Sequence, residues 1–404
     1  MDNTVNLSAI KNIAVLGNGK TANAVISKLA QLSAFNITND TKKADLVIIS
    51  PGLVPAEHIQ GITCPVISEI EFAFLLFIFY KKVPKLITIT GTNGKTTTTD
   101  LISQLLDIPV AGNIGKPLID FVSENTKEIP DIIALEVSSY QLETCYSFKP
   151  DIYILLNITE DHLVRHKTME EYARMKLKTL EKLTNKEYFI YNSNDNITKE
   201  YIENKKIQAS LIDLQNTNNI TDLLKASPLL GEHNKENLSA AINAILLVNK
   251  EKLSINKIKR LKSYPHRLEF IGNVEGITFI NDSKATNPAS TIAALNAVNK
   301  TETILLLGGE KKEVSHDKMF KIINDANIRI VAFGKARTFF SNNLKELLIG
   351  ESEDLESAVK LAFTKSNKGD TILLSPACAS FDMYNNFEER GNDFKRSVSE
   401  ISNN

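Results

Sequence analysis

The chain has 404 residues, more than one hydrophobic core usually supports, so we expect three domains of ordinary size. A hydrophobic fraction of 43% and a charged fraction of 24% exclude a disordered chain, and the net charge of -1 argues against nucleic acid as a partner. The three cysteines form no CxxC pair and are odd in number, which argues against a disulfide framework and favours reduced thiols in the cytoplasm.

The first region, residues 1–82, predicts a small α/β domain. Apolar runs at 12–17 and 45–50 are typical of buried parallel strands, and 25–32 is a candidate crossover helix. The first residues lack the basic and apolar segments of a secretory signal. The longest apolar run, 72–80, is too short to span a bilayer. We interpret this run as a buried helix face, and the alternative is a contact patch for a membrane surface or partner. We do not expect the chain to be an integral membrane protein.

The second region, residues 83–262, predicts the largest domain. It opens with an apolar strand at 85–90, which is followed by strands at 131–139 and 151–159 and by a helix at about 234–249. The asparagine-rich stretch 192–220 predicts loops and weak elements.

The third region, residues 263–404, predicts another α/β domain. Four strands (276–282, 303–309, 328–334 and 370–376) and two helices (288–298 and 351–365) carry this interpretation. The expected fold is therefore α/β with three domains: a Rossmann-like N-terminal domain, a central domain with a mostly parallel sheet, and a Rossmann-like C-terminal domain. The segment ITITGTNGKTTTTD makes the central one a P-loop ATPase domain.

The segment ITITGTNGKTTTTD predicts a phosphate-binding loop between a strand and a helix. Gly91 and Gly94 permit tight backbone geometry, the helix N-terminus attracts phosphate, and Lys95 would reach the terminal phosphates. Thr96 is placed to bind magnesium through its hydroxyl. Ile89 stands where the general pattern has its first glycine. We expect ATP to contact Gly91, Thr92, Asn93, Gly94, Lys95, Thr96 and Thr97.

This variant of the loop resembles that of the Mur ligase family, which also includes folylpolyglutamate synthases. The resemblance implies ATP-dependent amide formation through an acyl phosphate, with two magnesium ions. It extends to EVSSYQLE and LLNITEDHL, where it implies that Glu136 and His162 bind metal. It also implies that Lys176 is an N6-carboxylysine that acts as an anionic metal ligand. Val164 departs from the family pattern, which usually has Asp at that position.

The resemblance assigns further residues to ATP and to a UDP-sugar substrate. For ATP it implies Asn237, Arg267 and Asp282, with Lys284 beside the reacting groups. The expected catalytic set is Lys95, His162, Lys176 and Lys284. In the first region, the glycine loop GNGKTA favours the UDP diphosphate as its ligand. The expected contacts of the UDP-linked substrate are Gly17, Asp40, Thr41, Ser50, Gly52, Asn113 and His162.

Two C-terminal segments, LLGGEKK and LLSPACASFDMYNNFEERGNDF, resemble the branch of the family that adds D-glutamate to UDP-N-acetylmuramoyl-L-alanine. This branch implies that the incoming amino acid contacts Thr286, Lys312, Ser380 and Phe387. The implied enzyme is a cytoplasmic monomer of peptidoglycan precursor synthesis. The alternatives are another Mur-family or folylpolyglutamate ligase and, from a different class, a P-loop nucleotide switch that uses hydrolysis to change a partner interaction.

Overall fold

A computed structural model describes residues 5–249 and 253–403. Residues 1–4 and 404, which belong to the first and last predicted domains, lie outside the described residues. Residues 1–4 are also the beginning of the segment that we predict not to be a secretory signal. The chain divides into two compact units. One holds the residues up to Ser227 together with Glu236–Leu261, and the other holds Pro228–Lys235 and the residues from Lys262 onwards.

The first unit begins with a four-stranded parallel sheet in the order β2-β1-β3-β4. Its strands are β1 (Asn12–Leu16), β2 (Asn36–Ile37), β3 (Leu46–Ile49) and β4 (Val66–Ser68), and its helices are α1 (Lys20–Leu29), α2 (Pro55–His58) and α3 (Glu69–Phe79). The two strands predicted in this region are confirmed. The predicted crossover helix exists, but it begins at Lys20, five residues earlier than predicted, and ends at Leu29.

Helix α3 contains the apolar run, and it is buried on nearly all sides. Phe72, Leu76 and Phe77 are fully buried in a core that also contains Phe148 of the following region. This confirms a buried helix face. Among the described residues, no helix is both long and apolar enough to cross a bilayer.

Two buried carboxylates on α3 bind main-chain groups of the second sheet region. Glu69 accepts a hydrogen bond from the Ile119 amide at 2.6 Å, and Glu71 accepts from the amides of Ser147 and Phe148. Burial raises the pKa of Glu69 to about 7. The first sheet region is therefore joined to the second by hydrogen bonds inside a shared core.

The first unit also contains a six-stranded parallel sheet in the order β10-β9-β8-β5-β7-β6. Its strands are β5 (Lys85–Thr90), β6 (Val110–Gly112), β7 (Ile132–Glu136), β8 (Ile152–Leu155), β9 (Tyr188–Tyr191) and β10 (Ser210–Asp213). The helices of this region are α4 (Lys95–Leu106), α5 (Ser139–Leu142), α6 (Leu163–His166), α7 (Met169–Leu177), α8 (Asn196–Asn204), α9 (Thr221–Lys225), α10 (Glu232–Val248) and α11 (Ile255–Ile258). The first turn of α10 is assigned to the other unit.

Three sequence expectations in this region need correction. The strand predicted at 151–159 ends at Leu155. The strand predicted at 131–139 ends at Glu136, because Ser138 and Gln141 form a capping box that begins α5 instead. The asparagine-rich stretch contains regular elements, α8 and the edge strand β10, in addition to loops.

The second unit contains a six-stranded sheet in the order β11-β12-β16-β13-β14-β15, in which only the β11–β12 hairpin is antiparallel. Its strands are β11 (Glu269–Val274), β12 (Ile277–Asn281), β13 (Thr303–Gly308), β14 (Arg329–Phe333), β15 (Leu348–Ser352) and β16 (Thr371–Ala377). Its helices are α12 (Pro288–Leu295), α13 (Asp317–Asp325), α14 (Arg337–Asn343), α15 (Leu355–Thr364) and α16 (Phe387–Asn403). Two apolar clusters contain alternate residues of its strands, as expected for a sheet covered on both faces. The α/β class with mostly parallel sheets is confirmed.

Candidate active site

The predicted phosphate-binding loop joins β5 to α4 at the carboxyl end of the central strands. Gly94 has a φ of +85° and caps α4, and a Cβ atom there would lie 2.3 Å from the Asn237 Oδ1 atom. Asn237 also accepts a hydrogen bond from the Thr98 hydroxyl at 3.3 Å. Glycine is required at 94 for two reasons, its left-handed backbone and the close approach of α10.

Two lysine amines converge on one carbonyl oxygen of this loop. Lys95 Nζ lies 2.8 Å from the Gly91 oxygen and 2.9 Å from the Thr92 oxygen, and Lys176 Nζ lies 3.1 Å from the same Gly91 oxygen. Burial, together with repulsion from Lys95, holds the pKa of Lys176 well below its ordinary value. The loop therefore concentrates amine donors in a place suited to phosphate oxygens.

Glu136 ends β7 as a buried carboxylate with one open oxygen. The Oε1 atom accepts a hydrogen bond from Asn113 Nδ2 at 2.7 Å, whereas the buried Oε2 atom has no hydrogen-bond partner. An unpartnered buried carboxylate oxygen is costly, and a bound cation would satisfy it. The open carboxylate oxygen of Glu136 therefore fits a cation such as magnesium.

Across the described part of the chain, no three His, Cys, Asp or Glu side chains cluster as a ready metal site. A carboxylate on Lys176 would add a second anionic oxygen to that of Glu136, because magnesium prefers oxygen ligands. The neutral amine is the form that reacts with carbon dioxide, and the lowered pKa of Lys176 favours that form at neutral pH.

His162 lies between β8 and α6, with a φ of +56°. Its Nδ1 atom is 2.9 Å from the Tyr140 hydroxyl, and its ring lies 6.1 Å from that of Tyr172. Burial lowers the pKa of His162, and nearby Lys176 and Lys95 lower it further, against the opposing effect of Asp161. The lowered pKa favours the neutral form of the ring. The structure thus brings Lys95, Lys176, Glu136 and His162 together at one end of the second sheet.

Val164, at the position where the family usually has Asp, is 93% exposed on α6. An aspartate there would be solvated as well, so this departure leaves the contacts of His162 unchanged.

In the first sheet region, the structure places two of the predicted UDP contacts, Gly17 and Ser50, side by side. A Cβ atom on Gly17 would lie 2.4 Å from Ser50 Oγ, and that buried hydroxyl has no hydrogen-bond partner. Gly17 and Ser50 therefore adjoin. Asp40 and Thr41 lie in a turn beyond the edge strand β2, where Asp40 accepts a hydrogen bond from the Lys42 amide. Gly52 is exposed in the turn after β3.

The glycine loop of the first sheet meets the Asn113 loop of the second through a residue that sequence reasoning missed. Lys20, at the start of α1, donates a hydrogen bond to the Gly115 carbonyl at 2.6 Å. Its position inside the GNGKTA loop was the available signal.

In the second unit, the predicted residues gather at the carboxyl ends of β12 and β16. Asp282 is buried and accepts hydrogen bonds from Ser375 Oγ at 2.8 Å and from the Leu268 amide at 3.2 Å. Burial raises its pKa to about 7. Lys284 Nζ lies 3.8 Å from the centroid of the Phe387 ring.

The other predicted residues of this unit differ in exposure. Ser380 Oγ is buried without a hydrogen-bond partner, which fits a ligand that supplies one. Lys312 is exposed on the loop after β13, whereas Arg267 and Thr286 are half-buried.

Sequence reasoning also missed Arg390, which organises this end of the sheet. Its fully buried guanidinium donates to the Ser283 hydroxyl and to the carbonyls of Ser283, Cys378 and Ala379. It therefore fixes the loops that carry Lys284 and Ser380. No motif in the sequence marks this role, because three of the four acceptors are main-chain oxygens.

Comparisons with known protein families match two parts of the chain. The Mur ligase middle domain matches residues 89–245, and the Mur ligase glutamate ligase domain matches residues 266–378. A UDP-N-acetylmuramoylalanine--D-glutamate ligase of Caldicellulosiruptor saccharolyticus is 35% identical, with 93% of this chain and 89% of that protein covered. One of the same name from Clostridioides difficile is 33% identical over 97% of this chain and 99% of that protein.

The chain belongs to the Mur ligase family. This agrees with the resemblance drawn from the phosphate-binding loop and the strand-end residues. Solved Mur ligases share the fold at low identity. A MurF ligase of Thermotoga maritima in complex with ADP has a TM-score of 0.60 and 14% identity, with 98% of this chain and 97% of that chain covered. A folylpolyglutamate synthase of Mycobacterium tuberculosis has a TM-score of 0.55 and 13% identity, with 81% and 94% covered.

Proposed function

We propose that this Mur ligase uses ATP to join D-glutamate to UDP-N-acetylmuramoyl-L-alanine in peptidoglycan precursor synthesis. The observation that carries the ATP-dependent step is the pair of amines, Lys95 and Lys176, on the phosphate-binding loop beside the open carboxylate oxygen of Glu136. The choice of substrates is supported by relatives that carry this name and align with nearly the whole chain.

The mechanism begins with binding of ATP at the loop after β5. Lys95 would exchange its carbonyl contacts for phosphate oxygens and stabilise charge as the γ-phosphoryl group moves to the L-alanine carboxylate. The amine of D-glutamate then attacks the acyl phosphate, and phosphate leaves. Activation is needed because joining a carboxylate to an amine is unfavourable in water.

Magnesium would be held by Glu136, Thr96, His162 and a carboxylated Lys176, in two sites. When bound, it would supply positive charge that offsets the negative charge of the phosphate groups. The Tyr172 ring, 4.8 Å from Lys176 Nζ, limits where that amine can lie. If Lys176 is carboxylated, activity falls when carbon dioxide is removed and recovers with bicarbonate, and the Lys176→Gln variant responds to neither change.

The remaining contacts are assigned by ligand. The UDP-linked substrate is assigned to Gly17, Asp40, Thr41, Ser50, Gly52, Asn113 and His162. Beyond the loop residues, ATP is assigned to Asn237, Arg267 and Asp282, with Lys284 beside the reacting groups. D-Glutamate is assigned to Thr286, Lys312, Ser380 and Phe387, where an ammonium and hydroxyls suit carboxylates. We further propose a cytoplasmic monomer with functional domains at 1–82, 83–262 and 263–404.

The deciding experiment measures phosphate release by the purified chain with ATP, magnesium and UDP-N-acetylmuramoyl-L-alanine. D-Glutamate, L-glutamate, L-alanine and meso-diaminopimelate are offered separately. We expect release only with D-glutamate, and a product of matching mass. Release with a different amino acid would move the chain to another branch of the family. Release that is independent of every amino acid and of the UDP substrate would favour a nucleotide switch.

A further inference from the structure

Arg165 lies on α6, three residues after His162, and makes contacts that the proposed mechanism does not use. Its guanidinium donates to both carboxylate oxygens of Glu143, and its Nη1 atom donates to the Pro51 carbonyl at 3.2 Å. The guanidinium carbon lies 4.5 Å from the centroid of the Tyr140 ring. The side chain is only 8% exposed. Arg165 therefore links the turn after β3, which belongs to the first sheet, to α5 and α6 of the second.

Tyr140 continues this chain of contacts to His162. One face of its ring receives the Arg165 guanidinium, and its hydroxyl lies 2.9 Å from His162 Nδ1. The two rings are 4.9 Å apart. Because a bond to one imidazole nitrogen restricts the orientation of the other, Tyr140 helps to set where His162 Nε2 points, together with Asp161, whose Oδ2 atom lies 3.5 Å from that nitrogen.

We propose that Arg165 is a positioning residue that couples binding of the UDP-linked substrate at the Ser50–Gly52 turn to the orientation of His162 beside the phosphate-binding loop. The inference rests on the proposed function, because it takes the UDP-linked substrate as the ligand of that turn. By linkage, each ligand then strengthens the binding of the other by the same factor.

The geometry of arginine is what makes this coupling specific. Glu143 engages the guanidinium at two donors and Tyr140 covers its face, so only a limited set of positions of the Pro51 carbonyl preserves the third hydrogen bond. A displacement of the turn must either break that bond or tilt the plane that rests on Tyr140. A lysine would keep the charge but would lose both the fork and the planar stack.

A further contact between the first and second sheet regions lies outside this network, and it provides a matched control. Lys28 on α1 donates to the Val122 carbonyl at 2.7 Å. If Arg165 merely tied the two regions together, the loss of Lys28 would have a comparable effect on ligand binding.

The test measures the dissociation constant of AMP-PNP with magnesium chloride by calorimetry, with and without saturating UDP-N-acetylmuramoyl-L-alanine. The ratio of the two constants is the coupling factor. We expect a ratio of about 10 for the wild-type chain, and a ratio near 1 for Arg165→Met and Arg165→Lys. Lys28→Met keeps the wild-type ratio. Tyr140→Phe, which retains the ring and removes the hydroxyl, should also lower the ratio. This variant tests the same chain of contacts even if the Arg165 variants fold poorly.

The outcomes separate this inference from the proposed function. Coupling that survives in Arg165→Met or in Tyr140→Phe would overturn the positioning role, as would an equal loss in Lys28→Met or a wild-type ratio of 1. If the wild-type chain does not bind UDP-N-acetylmuramoyl-L-alanine at all, the proposed function itself fails. In Arg165→Met/Tyr140→Phe we expect no loss beyond that of either single variant, because both changes break the same path.

Discussion

Buried charged side chains lie at the carboxyl ends of two sheets, the second sheet (β5–β10) and the third sheet (β11–β16). The two ends differ in how completely these side chains are hydrogen-bonded. At the second sheet, two amines share the Gly91 carbonyl, and one oxygen of Glu136 has no partner. At the third sheet, the Arg390 guanidinium is enclosed by four hydrogen bonds. The first arrangement is incomplete until a charged ligand arrives, whereas the second is a finished support. Substitution of Lys95 or Glu136 should therefore change catalysis, whereas substitution of Arg390 should first change stability.

The largest expected effect is at the phosphate-binding loop. We expect Lys95→Met to reduce the rate of phosphate release by about 10³-fold, because it removes a donor to the transferring group. The melting temperature should stay within about 2 °C of wild type, since the lysine contacts main-chain oxygens at a ligand site and packs in no core. Lys85→Met, at an exposed position on β5, is the matched control and should retain full activity. A variant that keeps more than a tenth of the activity would break the comparison.

At the third sheet, Arg390→Met should lower the free energy of unfolding by about 3 kcal/mol, because several buried carbonyls lose their donor. Urea unfolding of the full chain measures this change. Arg396→Met on the same helix removes only exposed ion pairs and should change the free energy of unfolding far less. Equal costs for the two variants would show that Arg390 is not the support inferred above.

A smaller effect concerns the pH dependence of stability at Asp282, whose pKa burial raises to about 7. The folded chain keeps this proton as pH rises from about 4 to 7, whereas the unfolded chain releases it. The unfolded state then binds fewer protons, so this contribution to stability is lost as pH rises through 7. Asp282→Asn has no such proton to lose. From pH 5 to pH 8 we expect the melting temperature of wild type to fall by a few degrees relative to Asp282→Asn, and parallel curves would contradict the assignment.

The predictability of these two ends from sequence also differs. The phosphate-binding loop could be located because an apolar strand, two glycines and Lys95 are contiguous, and strand ends then pointed to Glu136 and His162. Local signals of this kind can be recognised without knowledge of the fold. The strand predicted at 131–139 is too long because the capping box at Ser138 begins a helix and so ends the strand.

The supporting residues could not be predicted in the same way. Arg165 and Arg390 act on main-chain carbonyls, and Glu69 acts on a main-chain amide, so no particular residue type is required in their partners. The atoms they bind are far along the chain and are brought near only by the sheet topology. A single sequence shows the polar side chain, but it does not show which main-chain atom that side chain will contact in the fold.

The carboxylates of α3 have a consequence for synthesis on the ribosome. Glu71 must wait for Ser147, 76 residues further along, before its hydrogen bonds can form. At a translation rate of roughly 5–20 residues per second, that interval is about 4–15 s. During this time the part of the helix that packs against Phe148, such as Phe74, lacks that partner. This apolar face should make the nascent chain a client for chaperones at this stage, and packing of the first sheet region should be completed only after β5, β6 and β7, the first three strands of the second sheet, have emerged.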